Sequence, residues 1–130
     1  MALVVDASAL VDLYLGSEVA PAIVTRVHGE ALHAPVTVDA EILHSLRRHL
    51  LSGSVDEALA ERAIVSHRSL VITRHPIAPL VQRMWAMRQN VTAYDAGYVA
   101  LAESLNLTLI TRDRRLSRSP GHTARIEYID

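Results

Sequence analysis

The stretch ALVVDASALVDLYLG, residues 2–16, decides the fold. Ala2 to Val5 is an unbroken apolar run rich in valine, the pattern of a strand buried on both faces rather than one with a wet side. The run stops abruptly at Asp6. Just beyond, Ser8 offers a cap for a helix over about Ala9 to Leu15. The chain therefore opens with a buried strand, a turn carrying one carboxylate, and a helix.

The same grammar recurs downstream. Leu107 to Thr111 is again apolar and β-branched and again leads to an aspartate, Asp113. Between the two, Ser17 caps a second helix with Pro21 in its first turn and Gly29 closing it. Ala31 to Ala34 reads as a second strand stopped by Pro35. Thr37 starts a helix with Val38, Ile42, Leu46 and Leu50 along one face, ended by Gly53. Ser54 and Glu57 form an S-x-x-E capping box ahead of a helix over Ala58 to Val65, and Leu70 to Thr73 reads as a third strand. The pattern from Pro79 to Arg88 is helical, and Met84, Trp85 and Met87 read as core, with an interface to another subunit as the alternative. Thr92 caps a further helix to about Leu105, with Tyr94, Tyr98, Leu101 and Leu105 as a buried stripe, and Arg125 to Ile129 reads as an edge strand.

Strands alternating with helices imply parallel strands joined by right-handed crossovers. The expected fold is α/β, a three-layer α/β/α sandwich around a central parallel sheet of four to five strands, in one domain over residues 1–130. In such sheets ligands bind in the crevice beyond the carboxyl ends of the strands, where Asp6 and Asp113 both fall.

Composition narrows the chemistry. Half of the 130 residues are hydrophobic and 21% are charged, which is enough apolar material for a core and too little charge for a disordered chain. No cysteine is present, which excludes disulfides and thiolate metal sites and agrees with a reducing compartment. The first residues lack the basic start and long apolar run of a signal peptide, and no segment reaches membrane-spanning length, so a cytoplasmic protein without a membrane anchor is expected. With a net charge of −1, any nucleic-acid contact must be local rather than a bulk electrostatic effect. All 13 basic residues are arginine, which suits phosphate recognition and removes lysine-dependent chemistry.

Four acids are candidates for a site. Taken singly, Asp6 and Asp113 are explained as caps of the helices that follow them, and Glu41 lies off the apolar face of its helix in a stripe with Ser45 and Arg48, where a solvated carboxylate is ordinary. Asp95 is more telling, being the only charged residue between Arg88 and Glu103. As a set they gain force: two stand at neighbouring strand ends, with two more on helix first turns able to reach over. Carboxylates so gathered repel and raise one another's pKa unless a divalent cation neutralises them. An all-oxygen donor set suits Mg²⁺ or Mn²⁺, and hydrolysis of a phosphodiester follows from that chemistry.

Four blocks, VVDASALVDLYL, DAEILHSLRR, TAYDAGYVALAESL and LITRDRRL, taken in this order along nearly the whole chain, resemble the PIN-domain family and, within it, the VapC-like toxins of toxin–antitoxin modules. The resemblance implies Mg²⁺- or Mn²⁺-dependent endonucleolytic cleavage of RNA, with Asp6, Glu41, Asp95 and Asp113 as metal-binding and catalytic residues. It also implies Ser8 and Thr111 as supporting hydroxyls, a VapB-like antitoxin that restrains the enzyme, and a homodimer. Arg47 and Arg48 after Glu41, and Arg112, Arg114, Arg115 and Arg118 around Asp113, are candidate guides for the RNA backbone.

Rival readings fit less well. A receiver-like signalling module needs an acidic pair after its first strand and a late lysine, but Asp6 is followed by Ala7 and the chain has no lysine. No glycine-rich phosphate loop occurs, and the seven histidines show no zinc-ligand spacing. A PIN fold that binds without cutting is disfavoured by the presence of all four acids.

Overall fold

The computed structural model describes residues 1–130. Five strands form one sheet: β1 (Ala2–Val5), β2 (Ala31–Pro35), β3 (Ile72–His75), β4 (Leu109–Thr111) and β5 (Ile126–Tyr128). They run in the order β3-β2-β1-β4-β5, every pair parallel. The first strand is thus the central one. Val4 and Val5 are fully buried, as the valine-rich run requires of a strand covered on both faces.

Chain direction across the sheet reverses at β1. From β1 the path steps outward through α1 (Ala7–Leu15) and α2 (Ala20–Val27) to β2, then through α3 (Val38–Ser52) and α4 (Glu57–Ser69) to β3. It then returns by a short 3₁₀ turn, α5 (Val81–Ala86) and α6 (Ala93–Leu105) to the other side of β1, where β4, α7 (Arg114–Ser117) and β5 complete the sheet. Because each crossover is right-handed, reversing direction puts the two helix sets on opposite faces. Accordingly α1 packs against α2, α3 and α4, while α6 lies on β1, β2 and β4 with α5 beside it. The three-layer α/β/α architecture agrees with the reading of the sequence. The switch of direction opens a crevice between the carboxyl ends of β1 and β4.

Several boundaries differ from those expectations, each for a visible reason. Helix α1 is capped by Asp6, whose carboxylate accepts from the Ala9 N–H, rather than by Ser8. Ser17 does not cap α2: its hydroxyl is buried without a partner, and Val19 holds the N-cap position with no side-chain bond. The cap of α4 is Asp56, accepting from Leu59 N–H at 2.8 Å, whereas Ser54 turns back to the carbonyl of His49 and closes α3. Asp56→Ala is expected to cost about 1 kcal/mol in urea unfolding and Ser54→Ala clearly less, the reverse of what a Ser54 capping box would give.

Helix α4 also runs four residues past Val65, which moves β3 two residues later than Leu70 to Thr73. A polar network holds that last turn. His67, only 7% exposed, bonds Tyr14 Oη at 2.8 Å and Asp39 Oδ1 at 2.6 Å, and Arg74 clasps the same carboxylate from β3. Arg74 holds Asp39 down at about 2, with His67 adding to the effect. Leu107 is drawn into the end of α6 by an N–H bond to Ala102 O, so β4 starts only at Leu109.

Two aromatic residues were assigned to the core and lie outside it. Trp85 is 65% exposed, because α5 is only six residues long and buries Met87 and part of Met84 instead; Arg88 stacks over the indole at 4.7 Å. Tyr94 is 64% exposed, because the first turn of α6 stands beyond the strand ends, while Tyr98, one turn on, is buried. No single helix is long and apolar enough to cross a membrane; α1 and α2 together have the length but bend by 118°.

Candidate active site

The site is built where β1 and β4 end. Asp6 follows β1 and extends the ladder to β4 through its N–H to Ile110 O at 3.1 Å. Its side chain is almost wholly enclosed. Oδ1 accepts from Ser8 Oγ at 2.7 Å and from Ala9 N–H at 3.0 Å, and Oδ2 accepts a short bond from the buried hydroxyl of Thr111. Both hydroxyls also tie the β4 end in place: Ser8 accepts from the Arg112 N–H and Thr111 from the Asp113 N–H. Burial pushes the Asp6 carboxyl up to about 6 against those bonds, with the charge of Asp95 adding to the rise.

Glu41 stands in the first turn of α3 and accepts a short hydrogen bond from the Tyr98 hydroxyl of α6. Half-burial raises its pKa, and the charges of Asp95 and Asp6 raise it further. The expectation of a solvated carboxylate from pattern alone therefore fails. Asp95 stands in the first turn of α6, below Thr92, whose hydroxyl accepts the Asp95 N–H at 3.2 Å. Burial raises its pKa, and Asp113 raises it too. Asp113 caps α7, accepting from Arg115 and Leu116 N–H groups at 2.9 and 3.2 Å.

The fold thus brings Asp6, Glu41 and Asp95 into one another's fields and sets Asp113 beside Asp95. None has a cationic partner. The seven ion pairs of the chain employ Asp12, Glu30, Asp39, Glu103 and Glu127 and leave these four acids out. Enclosed carboxylates without compensation are costly, and their donor set is hard oxygen, which fits a divalent cation such as Mg²⁺. No three Asp, Glu or His side chains converge on one coordination sphere.

Above the acids lies a cavity of about 770 Å³ between α3 and the start of α6. Glu41, His44, Ser45 and Arg48 line it from α3, Thr92, Tyr94 and Asp95 from α6, and Ala7 and Ser8 form its floor. Tyr98, His44 and Tyr94 were not singled out as site residues in the sequence. His44 had a signal there, lying at helical spacing on the stripe of Glu41, Ser45 and Arg48.

The arginines divide. Arg48 lines the cavity, and Arg47, Arg115 and Arg118 are exposed. Arg114 stacks over Tyr128 with its guanidinium 4.6 Å from the ring centre. Arg112 corrects the expectation of a backbone guide: its guanidinium turns inward to Asp12 Oδ2 at 2.7 Å, Tyr128 Oη at 3.1 Å and the Ile129 carbonyl at 2.6 Å. Among the histidines, His67 is structural, and His33 and His75 bond each other at 2.9 Å on neighbouring strands.

Fold and site together define a doubly wound α/β protein with unpaired acids at its switch point. The chain belongs to the PIN-domain family: the family's model, described as PIN domain, matches residues 3–121. It is 38% identical to Ribonuclease VapC12 of Mycobacterium tuberculosis over 127 residues, 98% of each chain. Among solved structures it is similar to PAE2754 from Pyrobaculum aerophilum, with a TM-score of 0.71 at 30% identity, covering 97% of this chain and 83% of that one. It shares its fold with VapBC2 from Rickettsia felis, solved bound to a DNA fragment from their promoter, with a TM-score of 0.70 at 14% identity over the whole of both chains.

Proposed function

We propose that the protein is a divalent-metal-dependent endoribonuclease and the toxin of a toxin–antitoxin pair, acting as a single domain in the cytoplasm. One observation carries the reading: four carboxylates share a crevice at the β1/β4 switch point and none has a cationic partner. Asp6, Glu41, Asp95 and Asp113 would hold Mg²⁺ or Mn²⁺. When bound, such an ion supplies an acidified water and a positive charge against phosphate oxygen.

The chain's own residues orient and guide. Ser8 and Thr111 fix the Asp6 carboxylate from both sides, and Tyr98 fixes Glu41. Arg48 offers a cation to the RNA backbone inside the cavity, with Arg47, Arg114 and Arg115 outside it. Arg112 acts one step back, bracing α1 to the carboxyl end of β5. The 38% identity to a ribonuclease over nearly the full chain supports RNA as substrate. The fold shared with VapBC2 supports a VapB-like antitoxin, and the exposed Leu43 and Trp85 offer apolar surface for it or for a second copy in a homodimer.

The reading is tested by incubating purified, partner-free protein with RNA. Cleavage with Mg²⁺ or Mn²⁺ that stops on adding a chelator is expected, and cleavage that persists at full rate in the chelator would overturn it.

A further inference from the structure

Hydrolysis of a phosphodiester makes one demand that none of the roles above meets. As the oxygen of water bonds to phosphorus, a bridging oxygen departs with the electron pair of its broken bond. It leaves slowly as a bare alkoxide and faster when a positioned acid gives it a proton. The four acids are ionised as metal ligands and bring none. Arg48 does not deprotonate, serine and threonine hydroxyls are weak acids, and the chain has neither lysine nor cysteine. Imidazole is the side chain suited to the task near neutral pH. Of the seven histidines, five are engaged elsewhere: His33 and His75 bond each other, His67 bonds Tyr14 and Asp39, His49 bonds Ser54, and His122 bonds Ser119. His28 is exposed beside a separate hollow lined by Thr25, Arg26 and Tyr128. His44 alone lines the cavity above the acids, exposed and without a side-chain partner. It follows Glu41 by three residues on α3, which sets the two Cβ atoms about 5 to 6 Å apart. The charged and titratable groups that share the cavity with it are Glu41 and Arg48 on its own helix, and Tyr94 and Asp95 on α6. No structural role competes for the side chain, which lies in the middle of α3, away from the caps and outside the core.

We infer that His44 is a catalytic residue, the general acid that gives its imidazolium proton to the oxygen leaving the cleaved phosphate. The inference rests on the ribonuclease reading and adds a residue to that reaction. In the step, the oxygen of water forms the new bond to phosphorus and its proton passes to solvent. The bridging P–O bond breaks with its electron pair going to oxygen, which takes the proton from His44 and departs as a hydroxyl. The neutral imidazole then regains a proton from solvent, to which its exposure gives free access.

Steady-state cleavage of RNA by the wild type, His44→Ala, His44→Gln and His28→Ala tests this. In His44→Ala, kcat should fall about 100-fold to 10,000-fold, with KM and the melting temperature nearly constant. His44→Gln keeps a hydrogen-bonding side chain without an acidic proton and should lose as much, whereas His28→Ala should cut at the wild-type rate. Added imidazole should restore part of the rate of His44→Ala, since the cavity of about 770 Å³ has room for it, and should not speed the wild type. Two further oligonucleotides carry sulfur in place of one or the other bridging oxygen at the cut. A thiol ionises at about pH 8.5, so sulfur leaves without a proton. The oligonucleotide with sulfur in the leaving position should therefore be cut by His44→Ala almost as fast as by the wild type. A kcat for His44→Ala within a few-fold of the wild type, a loss confined to KM, or a loss that neither imidazole nor sulfur diminishes would each overturn the assignment and leave the ribonuclease reading intact. A wild type that cuts no RNA with either metal would overturn both.

Discussion

Replacing Asp95 with Asn is expected to lower RNA cleavage by more than about 100-fold while leaving the protein folded. Losing a group that merely orients a metal ligand typically costs about 10- to 100-fold, and Asp95 is assigned here as a ligand itself. The structural roles at this position survive the change. The cap of α6 uses the backbone N–H of residue 95 and the hydroxyl of Thr92, neither of which is altered. A negative charge in a helix first turn gains about 0.3 to 1 kcal/mol from the dipole, and its loss is offset by relief from the field of Asp113. The melting temperature should therefore hold nearly constant as activity disappears. If Asp95 is only a helix-start residue, the opposite pattern must appear, with activity retained and a small loss of stability. Near wild-type turnover in Asp95→Asn would remove the metal site as drawn.

The second large effect is on stability rather than turnover, and it concerns Asp6. Its carboxyl is raised from 3.8 to about 6, chiefly by burial. Well below 3.8 the group is protonated in both folded and unfolded chains and costs nothing. As pH rises from 4 to 6 the unfolded chain releases its proton first, so stability falls across that window and stays lower above it. The deficit at neutral pH is on the order of 3 kcal/mol. Asp6→Asn should abolish that slope and melt higher than the wild type at pH 7 without divalent ions. Asn keeps the carbonyl that caps Ala9, and the Thr111 hydroxyl can rotate to accept from the amide. Adding Mg²⁺ should raise the melting temperature of the wild type at pH 7 and leave Asp6→Asn almost unmoved. A wild type as stable at pH 7 as at pH 4 without metal, with no response to Mg²⁺, would contradict this account. The enclosed carboxylate would then be compensated by something other than a bound cation.

Much of the architecture could be read from short runs. Four apolar residues ahead of Asp6, and the apolar, β-branched run Leu107 to Thr111 ahead of Asp113, placed the two central strands and the ends where the acids emerge. Features set by distant partners could not be read so. Glu41 follows a surface pattern on its own helix, yet a tyrosine 57 residues away half-buries it. Helix α4 keeps going past Val65 because His67 finds Tyr14 and Asp39, contacts that no local periodicity encodes. At the start of α4 Ser54 read as the cap, and the chain uses Asp56 because Ser54 is engaged in closing the helix before. Tyr94 shows the same limit: its helical spacing from Tyr98 was right, but where α6 begins relative to the strand ends decides which of the two is covered.

The central place of β1 also orders events during synthesis. Val4 and Val5 pair with Leu109 and Ile110, and Asp6 meets the hydroxyl of Thr111 across 105 residues of chain. Contacts so remote in sequence form late. On the ribosome the first aspartate is made almost at once, then waits for most of the polypeptide before the strand that seats it emerges. An unfinished chain carries the acids without the crevice. The molecule therefore acquires its gathered carboxylates only when translation has passed residue 113, when nearly all of the 130 residues have been made.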